Sequence, residues 1–178
     1  MKHFLFTLFL LLNGSWTFAQ SRSLSGPSLS DDSTHVVNHF IYLEIGGAGG
    51  YGSVNYEHLV FKKNELMLAA RIGISTYHIK DFRTKFNPDI LIPLTAKILY
   101  GKTHKAEIGI GETFASTIHA NETDFKPKRM LNFHTHFSFG YRYQPAAGGI
   151  VIGVAYTPIL EFNKSIRHWA SVTLGYSF

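Results

Sequence analysis

The segment WASVTLGYSF (169–178) alternates between apolar and small or polar residues. Ala170, Val172, Leu174, Tyr176 and Phe178 fall on one face. Ser171, Thr173, Gly175 and Ser177 fall on the other. Successive side chains of a strand point to opposite faces, so this period of two specifies a strand with one greasy and one polar side. From Asn38 onward the pattern recurs, and eight strands are predicted: Phe40–Gly46, Tyr51–Phe61, Leu66–Thr76, Ile90–Tyr100, Lys105–Thr117, Leu131–Tyr143, Gly149–Ile159 and Trp169–Phe178. Most approach the roughly 9–11 residues that a tilted membrane strand requires. An even count brings both ends of a barrel to one side of the membrane.

The joints between strands sort by length. KKNE (62–65), GKTH (101–104) and QPAAG (144–148) are short, whereas 77–89 and 118–130 are long and 160–168 is intermediate. Tight turns on one side and longer loops on the other are the habit of membrane barrels. The Gly-rich GGAGG at 46–50 breaks the alternation and reads as a tight hairpin.

The polar faces carry the charge. Glu44, Glu57 and Glu107 share it with Arg71, Lys97 and Arg142, three acids against three bases. An eight-stranded barrel has an interior just wide enough to be filled by side chains. Charges there must pair, since an isolated buried charge is expensive. The expectation is a self-neutralising plug, with Gly73, Gly109, Gly111, Gly140 and Gly153 leaving room for the long side chains. Pro93, Glu112 and His58 fit the pattern poorly. Pro93 cannot donate to a strand ladder, and the other two have lipid-facing parity. Tyr51, Tyr56, Phe61, Tyr77, Tyr100, Tyr141, Tyr143, Tyr156, Trp169, Tyr176 and Phe178 lie near strand ends, where aromatic girdles form.

At the other end of the chain, Lys2 and His3 precede the apolar run Phe4–Leu12, and Thr17-Phe18-Ala19 offers a small-residue cleavage site. This reads as a secretory signal over 1–19. Residues 20–36 are rich in Ser, Asp, Gly and Pro and read as a flexible leader, with the barrel domain spanning 37–178. The chain has no cysteine, which excludes a lipoprotein anchor, disulfides and thiol catalysis. Only 16% of its residues are charged, below the roughly 25% of ordinary soluble domains. The net charge of +5 would suit nucleic acid. Export points instead to lipid or lipopolysaccharide phosphate as the partner of the basic outer loops, with Lys80, Arg83 and Lys85 in one, Lys126, Lys128 and Arg129 in the next, and Lys164 and Arg167 in the last.

Motifs for chemistry are few. His134 and His136 share a strand face with Asn132, a spacing two metal ligands can use, but no third ligand is evident and no metal or other cofactor is expected. His136-Phe137-Ser138 forms an HxS triplet, the weak catalytic candidate pair being His136 and Ser138. The triplet resembles that of PagL-type lipid A deacylases, in which serine attacks with His as base and a Glu about a dozen residues on orients it. Here that position is Ile150, and both candidates face the lumen.

The terminal strand, with Leu174, Tyr176 and Phe178, resembles the C-terminal signature of Gram-negative outer-membrane barrels, which implies recognition by the barrel-assembly machinery. From about Val37 to Phe178, segments such as YLEIGGAGGYGSVNYEH, GYRYQPAAGG and LGYSF resemble the small barrels of the OmpX/OmpA class and uncharacterised barrel-domain proteins of the envelope. The resemblance implies an all-β, eight-stranded antiparallel up-and-down transmembrane β-barrel. It further implies a monomer in the outer membrane, with no catalytic residues to carry over. Two further readings are a lipid A acyl hydrolase and a narrow pore.

Overall fold

The computed structural model describes residues 37–120, 126–161 and 165–178. The predicted signal and leader lie outside the described residues, as do Glu122, Asp124 and Lys164. Eight strands form one sheet that closes on itself: β1 (His39–Gly46), β2 (Gly52–Lys63), β3 (Leu66–Ser75), β4 (Ile90–Tyr100), β5 (His104–Ala120), β6 (Pro127–Tyr143), β7 (Gly149–Leu160) and β8 (Arg167–Ser177). Neighbours in sequence pair antiparallel, and β8 returns to pair with β1. This seam runs from Phe40↔Ser177 to Gly46↔Ser171. It is extended by two backbone bonds, His39 N–H to the Phe178 carbonyl (3.1 Å) and Phe178 N–H to the His39 carbonyl (2.9 Å). Closure pairs the two terminal strands with each other, leaving unpaired only the part of the β5–β6 hairpin that projects beyond its neighbours.

The predicted faces hold. Ile41, Leu43 and Ile45 are exposed on the outside while Tyr42 and Glu44 are buried within, and β3 and β4 alternate in the same way along their whole lengths. Ile72, Ile98, Ile108, Ile110, Val154 and Leu174 add to a continuous apolar exterior. A chain exposing this much aliphatic surface is matched to a hydrocarbon solvent.

Three local departures matter. A bulge between Leu59 and Phe61 shifts the register of β2 against β3. It keeps Leu59 inside and turns Val60 and Phe61 both outward, as an extra residue in one strand does. Pro93 is buried in the lumen, and the β3–β4 pairing lapses around it between Ile72↔Leu94 and Ser75↔Leu91. The lapse falls at the residue without an N–H, while Pro93 still pairs with Thr113 on β5. Finally, β5 and β6 continue to Ala120↔Pro127, so residues 118–120 and 127–130 are strand rather than loop.

The Gly-rich joint is not a simple hairpin. Gly47–Gly49 forms a single 3₁₀ turn, and all three of its residues are buried. The turn tucks into the barrel mouth and reaches across it. The Ala48 carbonyl accepts a hydrogen bond from Thr113 Oγ1 of β5 (3.1 Å), and the Gly49 carbonyl accepts one from Ser75. Gly46, Gly47 and Gly50 hold positive φ angles of 79, 75 and 78°, a region in which a Cβ is penalised. A Cβ on Gly46 would also lie 2.1 Å from the Ala170 carbonyl oxygen.

Candidate functional site

Inside the barrel the chain builds three levels. At mid-height the six predicted charges meet. Glu57, completely buried, accepts two hydrogen bonds from Arg142 (2.5 and 3.2 Å) and pairs with Lys97 (3.3 Å). Glu107 receives Lys97 (3.4 Å) and Arg142 (2.7 Å). Arg71 pairs with Glu44 and donates from Nε to Asn55 Oδ1 (2.9 Å). Each charged strand centre thus meets an opposite charge, Glu107 from its two neighbouring strands and Glu57 from Arg142 on β6 across the lumen. Such pairs are worth having only when the remaining lone pairs and protons are also satisfied.

Tyr42 is the hub of this level, a lumen residue to which the sequence pattern gives no role. Its hydroxyl donates to Glu57 (3.1 Å). Its ring is approached by Arg71, Lys97 and Arg142 at 5.6, 5.6 and 5.8 Å from the centroid. Three cations around one aromatic ring are held partly by its quadrupole. The strand parity of Tyr42 with Glu44 was the available signal.

Toward the turns that join β2 to β3, β4 to β5 and β6 to β7, the lumen becomes apolar. Phe40, Leu59, Met67, Ala69, Leu99 and Val151 form one buried cluster with Tyr42. Below it lies a cavity of about 520 Å³ lined by Val37, Phe40, Leu59, Met67, Lys62 and Lys105, among others. Lys105 was missed as a lumen charge although it shares the parity of Glu107.

Toward the long loops, the floor is the Gly47–Gly49 turn with His136, whose two ring nitrogens meet Thr95 Oγ1 (2.9 Å) and Thr113 Oγ1 (3.3 Å). Above this floor opens a vestibule of about 610 Å³. Tyr51, Tyr77, His134, Glu161, Arg167 and Trp169 are among its walls. Tyr51 packs edge-on against both Tyr77 and Trp169, so these three rings gather at the mouth instead of joining an outer girdle. Burial raises the Tyr77 phenol above its ordinary range, against the pull of Arg167. Arg167 pairs with Glu161 (3.2 Å). Asp89 accepts from the Ile118 N–H (2.8 Å) and meets His78 (3.0 Å).

The weak catalytic candidates are not brought together. Both nitrogens of His136 are occupied by threonines, and Ser138 Oγ has no hydrogen-bond partner among the described residues. Ser138 packs against Gly109, where a Cβ would come within 2.4 Å of its hydroxyl. His134 lines the vestibule while His136 belongs to its floor, and among the described residues no three His, Cys, Asp or Glu side chains are grouped to hold a metal. Of the basic loop residues, Arg129 is tied inward by bonds to Asn87 Oδ1 (2.8 Å) and the Pro88 carbonyl (3.1 Å).

On the outside, Glu112 finds a hydrogen-bond partner and His58 a ring contact, its Nδ1 having no hydrogen-bond partner among the described residues. Glu112 accepts a hydrogen bond from Thr135, its cross-strand neighbour (2.5 Å). His58 stacks at a tilt against His39, 4.8 Å between centroids. His39 in turn bonds the Tyr56 hydroxyl (2.7 Å), and His104–Tyr141 and Tyr156–His168 repeat that device. Tyr56, Tyr100, Tyr141, Tyr143, Tyr156, Tyr176 and Phe178 are exposed, as girdle residues should be.

No protein-family model and no curated protein sequence matches the chain. Its shape does have counterparts. The N-terminal barrel domain of Pseudomonas aeruginosa OprF superposes with a TM-score of 0.54 at 14% identity, covering 80% of this chain and 96% of that one. Ail of Yersinia pestis, solved with the heparin analogue sucrose octasulfate, superposes with a TM-score of 0.52 at 11% identity, covering 80% and 97%. The chain therefore has the fold of the small eight-stranded outer-membrane β-barrels.

Proposed function

We propose that this chain is a non-enzymatic integral barrel of the outer membrane, sealed through its centre, which supports the envelope and presents its loop side for surface interaction. One observation carries the reading: the lumen at mid-height is filled by paired charges around Tyr42, and the cavities above and below share no lining residue. The apolar exterior and the resemblance of β8 to an assembly signal support the location. A signal peptide over 1–19, recognition by the barrel-assembly machinery and a monomeric state belong to the same proposal.

The loop side has the chemistry for lipopolysaccharide. Between β3 and β4 a small hairpin, bridged at Lys80↔Phe86, exposes Ile79, Phe82 and Phe86 beside Lys80, Arg83 and Lys85. Cations among apolar side chains suit a surface of phosphates over acyl chains. The hydrolase reading lacks support from the geometry of His136 and Ser138.

Two measurements test this. Single-channel recording of the purified protein in planar bilayers is expected to show no steady conductance; a stable open level overturns the sealed lumen. Gel migration before and after boiling is expected to differ. A protein that comigrates in both states and stays soluble without detergent would remove the membrane placement altogether.

A further inference from the structure

The lumen charges do not balance once the turn side is counted. Glu44, Glu57 and Glu107 are matched by Arg71, Lys97 and Arg142, each within an ion pair. Lys105 is a fourth cation and is only 3% exposed. Among the described residues no carboxylate lies within 4.0 Å of its ammonium, and its hydrogen bond goes to the Gln144 carbonyl (2.9 Å). A buried ammonium without a counter-ion is costly, and a chain that keeps one has left an electrostatic vacancy beside it.

The vacancy is a real space. Lys105 lines the turn-side cavity of about 520 Å³, a size within the roughly 300–1,000 Å³ of small-molecule pockets. Lys62 lines the same cavity, while its one acid, Glu65, faces Lys102 at 3.8 Å. Val37, Phe40, Leu59 and Met67, the underside of the apolar lumen cluster, line the same cavity, with Met67 the cross-strand partner of Lys62. The cavity therefore sets cations beside apolar side chains and asks for a ligand that carries both an anion and a hydrocarbon.

We propose that this cavity binds a single-chain fatty carboxylate, its head on Lys105 and Lys62 and its chain against Phe40, Leu59 and Met67. The head would supply the charge that the lumen lacks. The chain would complete the apolar cluster from below. Inorganic anions fit only half of the site and neutral amphiphiles only the other half.

The test uses the full barrel in phosphatidylcholine nanodiscs, titrated with carboxyl-¹³C dodecanoate, with empty nanodiscs as background. A saturable bound carboxyl resonance is expected, at one equivalent per barrel, with acetate failing to displace it. Lys105→Gln should weaken binding at least tenfold, and Leu59→Trp, which fills the apolar wall while keeping the lysine, should abolish it. Lys105→Met should lose dodecanoate and yet resist urea better than the parent barrel, an outcome that a merely structural lysine would reverse. The proposal falls if no saturable signal appears, if acetate competes as well as dodecanoate, if Lys105→Gln binds with parental affinity, or if Lys105→Met is the less stable barrel.

Discussion

Glu57→Gln is the sharpest perturbation of this barrel. Glu57 is fully buried and faces two cations at once, Arg142 at 2.5 Å and Lys97 at 3.3 Å, with the Tyr42 hydroxyl as a third partner. At an effective dielectric near 20, each close pair is worth about 4 kcal/mol gross. Neutralising Glu57 leaves Arg142 and Lys97 to share Glu107 alone. Removing one partner of a buried pair typically costs about 3–5 kcal/mol, because the remaining charge is left uncompensated. The single variant should therefore shift urea unfolding of the detergent-solubilised barrel by about that amount, read from loss of the fast-migrating folded band. Arg142→Met alone should cost a similar amount. The double variant Glu57→Gln/Arg142→Met removes one charge of each sign and should recover part of the loss. A coupling energy of about 1–3 kcal/mol is expected in the cycle. If Glu57→Gln unfolds within about 1 kcal/mol of the parent, water reaches these groups and the sealed, ion-paired centre is refuted.

Three further outcomes are expected. Gly175→Ala places a Cβ 2.3 Å from both the Ile41 carbonyl oxygen and Tyr42 Cβ at the seam, so it should lower the unfolding free energy read from urea titration by about 1–3 kcal/mol or block folding. Deleting Phe178 removes the two backbone bonds to His39 and should reduce the yield of heat-modifiable barrel in the membrane before any other property changes. Ser138→Ala should leave the acylation of lipid A unchanged in mass spectra of the envelope, since the serine has no base beside it; a difference between strains expressing parent and variant would revive the hydrolase reading.

Strands and faces were legible because a two-residue period leaves little choice once one side must meet lipid. Ile90–Tyr100 is placed identically by pattern and by structure, and the six charges lie where parity put them. What the pattern could not show was distance across the lumen. Glu57 on β2 and Arg142 on β6 meet although their strands are not paired in the sheet, and that encounter is not written locally. The bulge at Leu59 was hidden because Val60 and Phe61 are both apolar, so the face change left no polar mark. The Gly46–Gly50 joint was misread because glycines permit a tight hairpin and an inward tuck equally, and the choice is made by Thr113 and Ser75 on other strands. Lys105 escaped notice since a lysine near a turn ordinarily reaches water.

The seam between β1 and β8 has a kinetic consequence. Seven of the eight pairings join strands adjacent in sequence, and the eighth joins Phe40 to Ser177. Set against a four-residue turn, that closure spans roughly five doublings of loop length, or about 3 kcal/mol of additional chain entropy. Until it forms, the sheet carries two open edges at once, and closure pairs them with each other. Folding of this barrel is thus expected to end in a single late zippering event, with β1 waiting unpaired on one side for the last strand to arrive.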